Sequence, residues 1–236
     1  MPSVLVDLCS RALPVTGVGL TLMTGTDYPA GLVAASDGVA VALDDLQFTL
    51  GEGPCVEASR TGRPVLVPEL ASADALVGGA RWPVFSAEAL ALGAEAVFAF
   101  PLRVGAIRIG ALDLYRDRTG PLADDDVAEA LAFTATATAV LLHLQARQPI
   151  ARRPGLAEQD GDAPVGAFPQ LGPWTMPLAH DRAVVHQATG MVSVTAGVGI
   201  VEALVLLRAR AWTDQRTVDE VAHDVVAGRL YFGRPT

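Results

Sequence analysis

A proline- and glycine-rich segment at residues 146–177, ARQPIARRPGLAEQDGDAPVGAFPQLGPWTMP, divides this chain of 236 residues in two. It holds neither a period of two nor one of 3.6, so it has no face that a strand or helix would bury. Pro149 and Pro154 each remove a helical hydrogen bond and would break any rod continued from the residues before them. The reading is a flexible linker, with Phe168, Trp174 and Met176 as side chains able to dock elsewhere. The chain therefore folds as two units with separate cores: residues 1–146, and residues 178–230 followed by a tail at 231–236.

The C-terminal unit carries three short apolar stripes at helical spacing. The first is Val184, Val185, Ala188, Met191 and Val192. The second is Ile200, Ala203, Leu204, Leu207 and Ala211, and the third is Val218, Val221, Ala222, Val225 and Val226. Thr217 and Glu220 open the third as a capping box, each side chain reaching the other's backbone N–H. Helices this short do not stand alone, so the three are expected to bury one another as a small all-α three-helix bundle. Arg182, His186, Thr189 and Ser193 fall opposite the first stripe, as a solvated face or as a contact surface. The third helix turns Asp219, Glu220, His223 and Asp224 outward, a face suited to pointing away from any polyanion.

In the N-terminal unit, residues 4–13 read as an opening helix with Val4, Leu5, Leu8 and Ala12 inward, and Cys9 as a further candidate for that side. Residues 17–23 and 32–35 read as neighbouring strands, followed by the turn Ser36-Asp37-Gly38. Residues 40–48 are helical in pattern and lead into Leu50-Gly51-Glu52-Gly53-Pro54-Cys55. A short strand at 65–68 and a helix at 81–92 come next. Strands at 97–102 and 107–115 meet near Gly105 as a hairpin. A long helix at 124–147 closes the unit, its first-turn acids suiting the helix dipole. Strands and helices in this order predict an α+β domain, an antiparallel sheet with flanking helices.

Hydrophobic residues make up 51% of the chain, enough for two cores. No apolar run reaches the ~18 uncharged residues of a membrane span, and Met1-Pro2-Ser3-Val4 lacks the basic start of a signal peptide. The expectation is a cytoplasmic protein with no membrane partner. Cys9 and Cys55 supply neither a disulfide framework nor a metal cluster. The net charge is −9, and every basic residue is Arg, as suits a GC-rich genome. From Met176 onward six arginines balance six carboxylates, so the acidity belongs to the rest of the chain. No nucleophile elbow, metal-ligand run or phosphate-cradling glycine loop is present. Neither catalysis nor a cofactor is expected.

Gln187-Ala188-Thr189-Gly190-Met191, Glu202-Ala203, Leu206-Leu207-Arg208 and Val221-Ala222, in this order and spacing, resemble the ANTAR domain of bacterial transcription antiterminators. Thr189 stands where that family usually has Lys, and Gly199 where a Ser, Thr or Asp cap usually opens the second helix. The resemblance implies RNA binding by paired domains that hold tandem stem-loops of a structured mRNA leader and so keep a terminator from folding. The residues it marks are Arg182, His186, Ala188, Thr189, Gly190, Arg208, Arg210, Trp212 and Arg216. Each has a plainer reading: a solvated face for Arg182 and His186, close helix packing at Gly190. Arg208 and Trp212 can equally be an edge of the bundle, and Arg210 and Arg216 solubilising charge. The alternative for the whole unit is a protein-interaction module without RNA affinity.

Residues 1–146, with Gly51-Glu52-Gly53-Pro54-Cys55, the hairpin and the terminal helix, resemble a GAF domain. That implies a sensory pocket over one face of the sheet for an unidentified small molecule, and a homodimer formed through the first and last helices. Glu52 and Cys55 are candidates for a sensor loop. Glu52 suits structural hydrogen bonds there, and Cys55 has no neighbouring Arg or His in sequence to lower its pKa. His143 reads as a structural or exposed residue rather than a haem ligand.

Overall fold

The computed structural model describes residues 1–23, 29–72, 81–146 and 180–233. Residues 147–179 lie outside them, and with them nearly all of the expected linker and Phe168, Trp174 and Met176.

Alternation along the strands builds the N-terminal unit. On β5 (Ile107–Arg116), Leu112 and Leu114 face one way, while Ala111 and Tyr115 face the other. On β4 (Ala96–Val104), Phe98, Phe100 and Leu102 share the first face, and Val97 and Ala99 the second. Both faces are apolar, so both must be covered. Helices α1 (Pro2–Ala12) and α5 (Asp124–Ala146) cover the first through Val6, Cys9, Ala130 and Leu141. Helices α2 (Gly38–Leu50), α3 (Pro54–Thr61) and α4 (Pro83–Ala91) cover the second through Leu43, Val56 and Phe85. Strands β1 (Gly17–Met23), β2 (Pro29–Ala35) and β3 (Val65–Val67) complete a five-stranded sheet of order β2-β1-β5-β4-β3, every pair antiparallel. The expected α+β domain is present, with α3 in addition. Its signal is Pro54 at the first helical turn, where a missing N–H costs nothing.

Helix α5 departs from one expectation. By length and composition it is apolar enough to cross a membrane, its acids being confined to the N-terminal end. Its inner side packs on α1 and β4.

Helices α6 (His180–Ala196), α7 (Ile200–Thr213) and α8 (Val218–Val226) pack around Val185, Ala188, Val192, Leu207, Val221 and Val225. The Thr217 hydroxyl accepts from the Glu220 N–H at 3.1 Å, and Glu220 Oε2 accepts from the Thr217 N–H at 2.9 Å. The expected capping box thus opens α8. Two stripe residues are displaced from their expected places: Met191 is 37% and Ile200 56% exposed. The buried line of α6 runs through Val185, Ala188, Thr189 and Val192, a narrow seam that places Met191 outside it. Continued one turn toward the N-terminus, that line meets Arg182, which is buried.

Candidate functional site

The inner stripe of α2 consists of Ala40, Leu43, Asp44, Gln47 and Phe48, all buried. Two of the five are polar, and each has work that explains its burial. Gln47 Oε1 accepts from the Cys55 N–H at 2.8 Å, tying α2 to the first turn of α3. Gly53 between them has φ 126°, and a Cβ there would stand 2.7 Å from Gln47 Oε1. Glycine is required on both counts. Glu52 Oε1 accepts from the N–H groups of Val84 and Phe85 at 3.2 and 3.1 Å and so caps α4. The Gly51–Cys55 turn therefore joins three helices over the sheet, and its glutamate is structural.

Asp44 reaches in two directions. It accepts the hydroxyl proton of Thr21 on β1 and, through Oδ2, a hydrogen bond from Arg182 Nη2 on α6 at 2.5 Å. The same Arg182 nitrogen donates to Asp45 Oδ1 at 2.9 Å. Its guanidinium carbon lies 4.2 Å from the centre of the Phe48 ring, and that of Arg208 on α7 lies 5.6 Å from the same ring. Phe48 is 4% exposed and packs in the core of α6–α8 rather than in either core of the sheet. Gly51 ends α2 in the left-handed conformation, and a Cβ there would come 2.5 Å from Arg208 Nη1. Burial pushes the Asp44 carboxyl up from its ordinary pKa, and Arg182 and Thr21 pull it back only in part. Burial also works against the Arg182 charge, which Asp44 and Asp45 more than offset, so the arginine is held as a cation.

Beneath α2 the sheet carries Asp113 on β5, on the same side as Ala111 and Tyr115. Neither of its buried carboxyl oxygens makes a well-formed hydrogen bond among the described residues. Burial raises its pKa well above the usual carboxylate range, and the Asp44 charge adds to the rise. Cys55 adjoins it at 0% exposure, and burial raises that thiol well above its ordinary value. Burial of this kind disfavours the thiolate, the reactive form of a cysteine. Cys9 is likewise pushed up to about 12 by burial. Asp113, Asp44, Gln47, Gly19 and Tyr115 border a cavity of about 10 Å3, room for roughly one water. Among the described residues no group of His, Cys, Asp and Glu is placed to hold a metal ion.

The sheet carries helices on both faces, and between it and α2 lies a cavity with room for about one water. A family model for the GAF domain matches residues 2–143. The chain belongs to the GAF family. GAF domains sense signals and bind small-molecule ligands. Among solved structures, the GAF domain/HD domain protein from Geobacter sulfurreducens is 16% identical, with TM-score 0.45 over 61% of this chain and 92% of that one. The GAF domain of a phosphoenolpyruvate-protein phosphotransferase from Coxiella burnetii is 16% identical, with TM-score 0.46 over 61% and 82%. The type II free methionine-R-sulfoxide reductase from Thermoplasma acidophilum is 14% identical, with TM-score 0.43 over 60% and 90%. Comparison with curated proteins finds no match.

Outside the GAF domain, the residues marked for RNA contact divide. Arg182, Ala188, Thr189 and Arg208 are buried. Ala188 belongs to the bundle core, and the Thr189 hydroxyl donates back to the Val185 carbonyl at 2.7 Å. Arg182 and Arg208, expected on the bundle's own surface, are covered because α2 supplies the carboxylates and the aromatic ring that receive them. His186, Arg210 and Trp212 are exposed, Trp212 by 60%. A Cβ on Gly190 would meet nothing within 4 Å, so close helix packing does not account for that glycine. Arg210 Nε donates to Asp214 at 2.6 Å, and Arg216 Nη2 donates to Asp224 at 2.8 Å. Asp44, Gln47 and Asp113 went unmarked, although each is a polar residue on a face whose other members are apolar.

Proposed function

We propose that the chain is a signal-responsive transcription antiterminator. The GAF domain receives the signal, and the helices α6–α8 act as an ANTAR domain that binds tandem stem-loop RNA as a pair. The observation that carries this reading is the wording of the three helices, from Gln187-Ala188-Thr189-Gly190-Met191 to Val221-Ala222. It is supported by the exposure of His186 on α6 and of Arg210 and Trp212 on α7, side chains able to meet a splayed loop base or a phosphate. The protein acts by binding rather than by catalysis, in the cytoplasm, where a nascent transcript is found, and as a homodimer.

A second reading is favoured by one contact. Arg182, a residue the ANTAR wording marks for RNA, is paired with Asp44 and Asp45 of the GAF domain. On that reading the bundle is an interaction module whose partner is the sensory domain itself. The deciding experiment is binding of the full chain to a tandem two-stem-loop RNA against a scrambled control at two salt concentrations. Preferential binding that weakens with salt supports the antiterminator. Equal, weak binding to both RNAs supports the interaction module.

A further inference from the structure

We infer that Asp44, Asp45 and Phe48 of the GAF domain form a guanidinium clamp that docks the C-terminal bundle in cis and withholds Arg182 and Arg208 from nucleic acid. The docking half stands on geometry alone; the withholding half rests on the RNA reading above.

Three observations carry the clamp. Among the described residues, Phe48 of α2 belongs to neither core of its own domain and packs in the core of α6–α8. The GAF domain thus lends the bundle an aromatic that would stand in water if the bundle left. Two guanidinium groups gather at that ring, and one of them is held by two carboxylates at 2.5 and 2.9 Å. A guanidinium placed over an aromatic ring, with one nitrogen shared between two carboxylates, uses the weakly hydrated planar charge that favours Arg over Lys. At Gly51 only a residue without a side chain leaves space for Arg208.

The clamp is also built to open. The contact between α2 and the bundle runs through long side chains, Arg182 and Arg208 reaching Asp44, Asp45 and Phe48. Arg182 Nη1 is buried without a hydrogen bond among the described residues, a cost that the docked state carries and release relieves. One carboxylate, that of Asp45, is 64% exposed and can be screened or outcompeted. Phosphate oxygens offer a guanidinium the same forked acceptor pair as carboxylates, so RNA competes directly for what α2 holds. Asp44 joins this contact to the sensory side, because it also accepts from Thr21 on β1 and shares the small cavity with Asp113. A ligand that shifts α2 against the sheet moves Asp44 away from one of its two partners.

The test uses the full chain with spin labels at Glu88→Cys on α4 and Ala227→Cys after α8, both exposed positions, diluted with unlabelled protein. Cys9 and Cys55 are buried and stay unlabelled. Electron–electron distance measurements and affinity for the tandem stem-loop RNA are taken for the parent and for Asp45→Arg. Asp45→Asn controls for the added charge, and a scrambled RNA for non-specific attraction. The expected result is one short, narrow distance in the parent, and a longer, broader distribution in Asp45→Arg. RNA binding should tighten about tenfold in that variant, with a smaller change of the same sign in Asp45→Asn. An unchanged distance in Asp45→Arg, or a broad distribution in the parent, overturns the clamp. A released bundle with unchanged RNA affinity overturns the withholding. Release with no preference for the tandem RNA in any variant leaves the clamp standing and overturns the RNA reading instead.

Discussion

The two halves of the molecule solve the problem of burial differently. The GAF domain has a sheet between two helical layers, and its largest enclosed side chains include Phe85, Phe98, Phe100, Met23 and Leu20. The bundle's own core is alanine, valine and leucine, and among the described residues the buried aromatic in it, Phe48, comes from α2 of the other half. A domain with wide faces can fill them with large residues and keep a margin. Three helices of nine to seventeen residues bury little, and short helices owe their stability to tertiary packing. The bundle is therefore the half whose stability depends on its neighbour.

Truncating an aromatic in each half breaks this contrast open. Phe100→Ala removes a ring at 0% exposure from the middle of β4. Such a loss costs about 3–5 kcal/mol, enough to unfold the GAF domain at modest denaturant and to take the bundle's docking surface with it. Phe48→Ala should cost less, about 3 kcal/mol at the low end of that range, because one side of the ring meets arginine rather than a packed core. Its damage should be confined. Hydrogen exchange should rise across α6–α8 while β1, β4 and β5 keep their protection. Equal exposure of both halves in Phe48→Ala would show that they unfold as one unit.

Much of this architecture was legible before the structure, and the exceptions have a common cause. Strand β1 runs over the residues that its apolar run marks, and the Thr217–Glu220 capping box opens α8 where local chemistry places it. Those features depend on a few adjacent residues. The fate of Arg182 depends on Asp44, 138 positions away. Its spacing set it opposite the apolar stripe of α6, whereas in the structure it continues the buried line of Val185, Thr189 and Val192, because α2 supplies the carboxylate and the ring that cover it. Asp113 could have been marked, since it stands between Leu112 and Leu114 in a strand apolar on both faces. What could not be read is that its carboxyl shares a cavity border with Asp44.

One carboxylate in each half should respond to acid in the opposite sense, and this sharpens the comparison. Asp113 has a raised pKa in the folded GAF domain, so the native state binds its proton more tightly than the unfolded chain does. Stability is then lost as pH rises from the unfolded value of ~3.9 toward the folded one. Asp113→Asn, neutral at every pH, should make the GAF domain more stable at pH 7 by on the order of 1 kcal/mol, or about 2–4 °C in Tm. The gain should vanish near pH 4. A variant less stable than the parent at pH 7 would mean that the charged carboxylate has a partner the native fold relies on.

Asp224 in the bundle is the opposite case and the smallest expected effect. Hydrogen bonds from Arg216 and Arg229 lower its pKa, with Nη2 of Arg216 at 2.8 Å and Nε of Arg229 at 2.7 Å. A depressed carboxylate contributes stability above its unfolded pKa and loses it as pH falls through the folded one. The group is solvent-screened, so the contribution is slight and salt-dependent. Acidifying from pH 7 to pH 3 should therefore loosen the end of α8 while relieving Asp113, and protection factors at Val225 and Val226, taken against the intrinsic exchange rate at each pH, should fall first. Asp224→Asn should abolish that local response and leave the GAF domain's acid profile as it was. If the variant flattened both profiles, the acid response of the sheet would be reaching the bundle through Asp44 and Arg182, a buried ion pair that joins them.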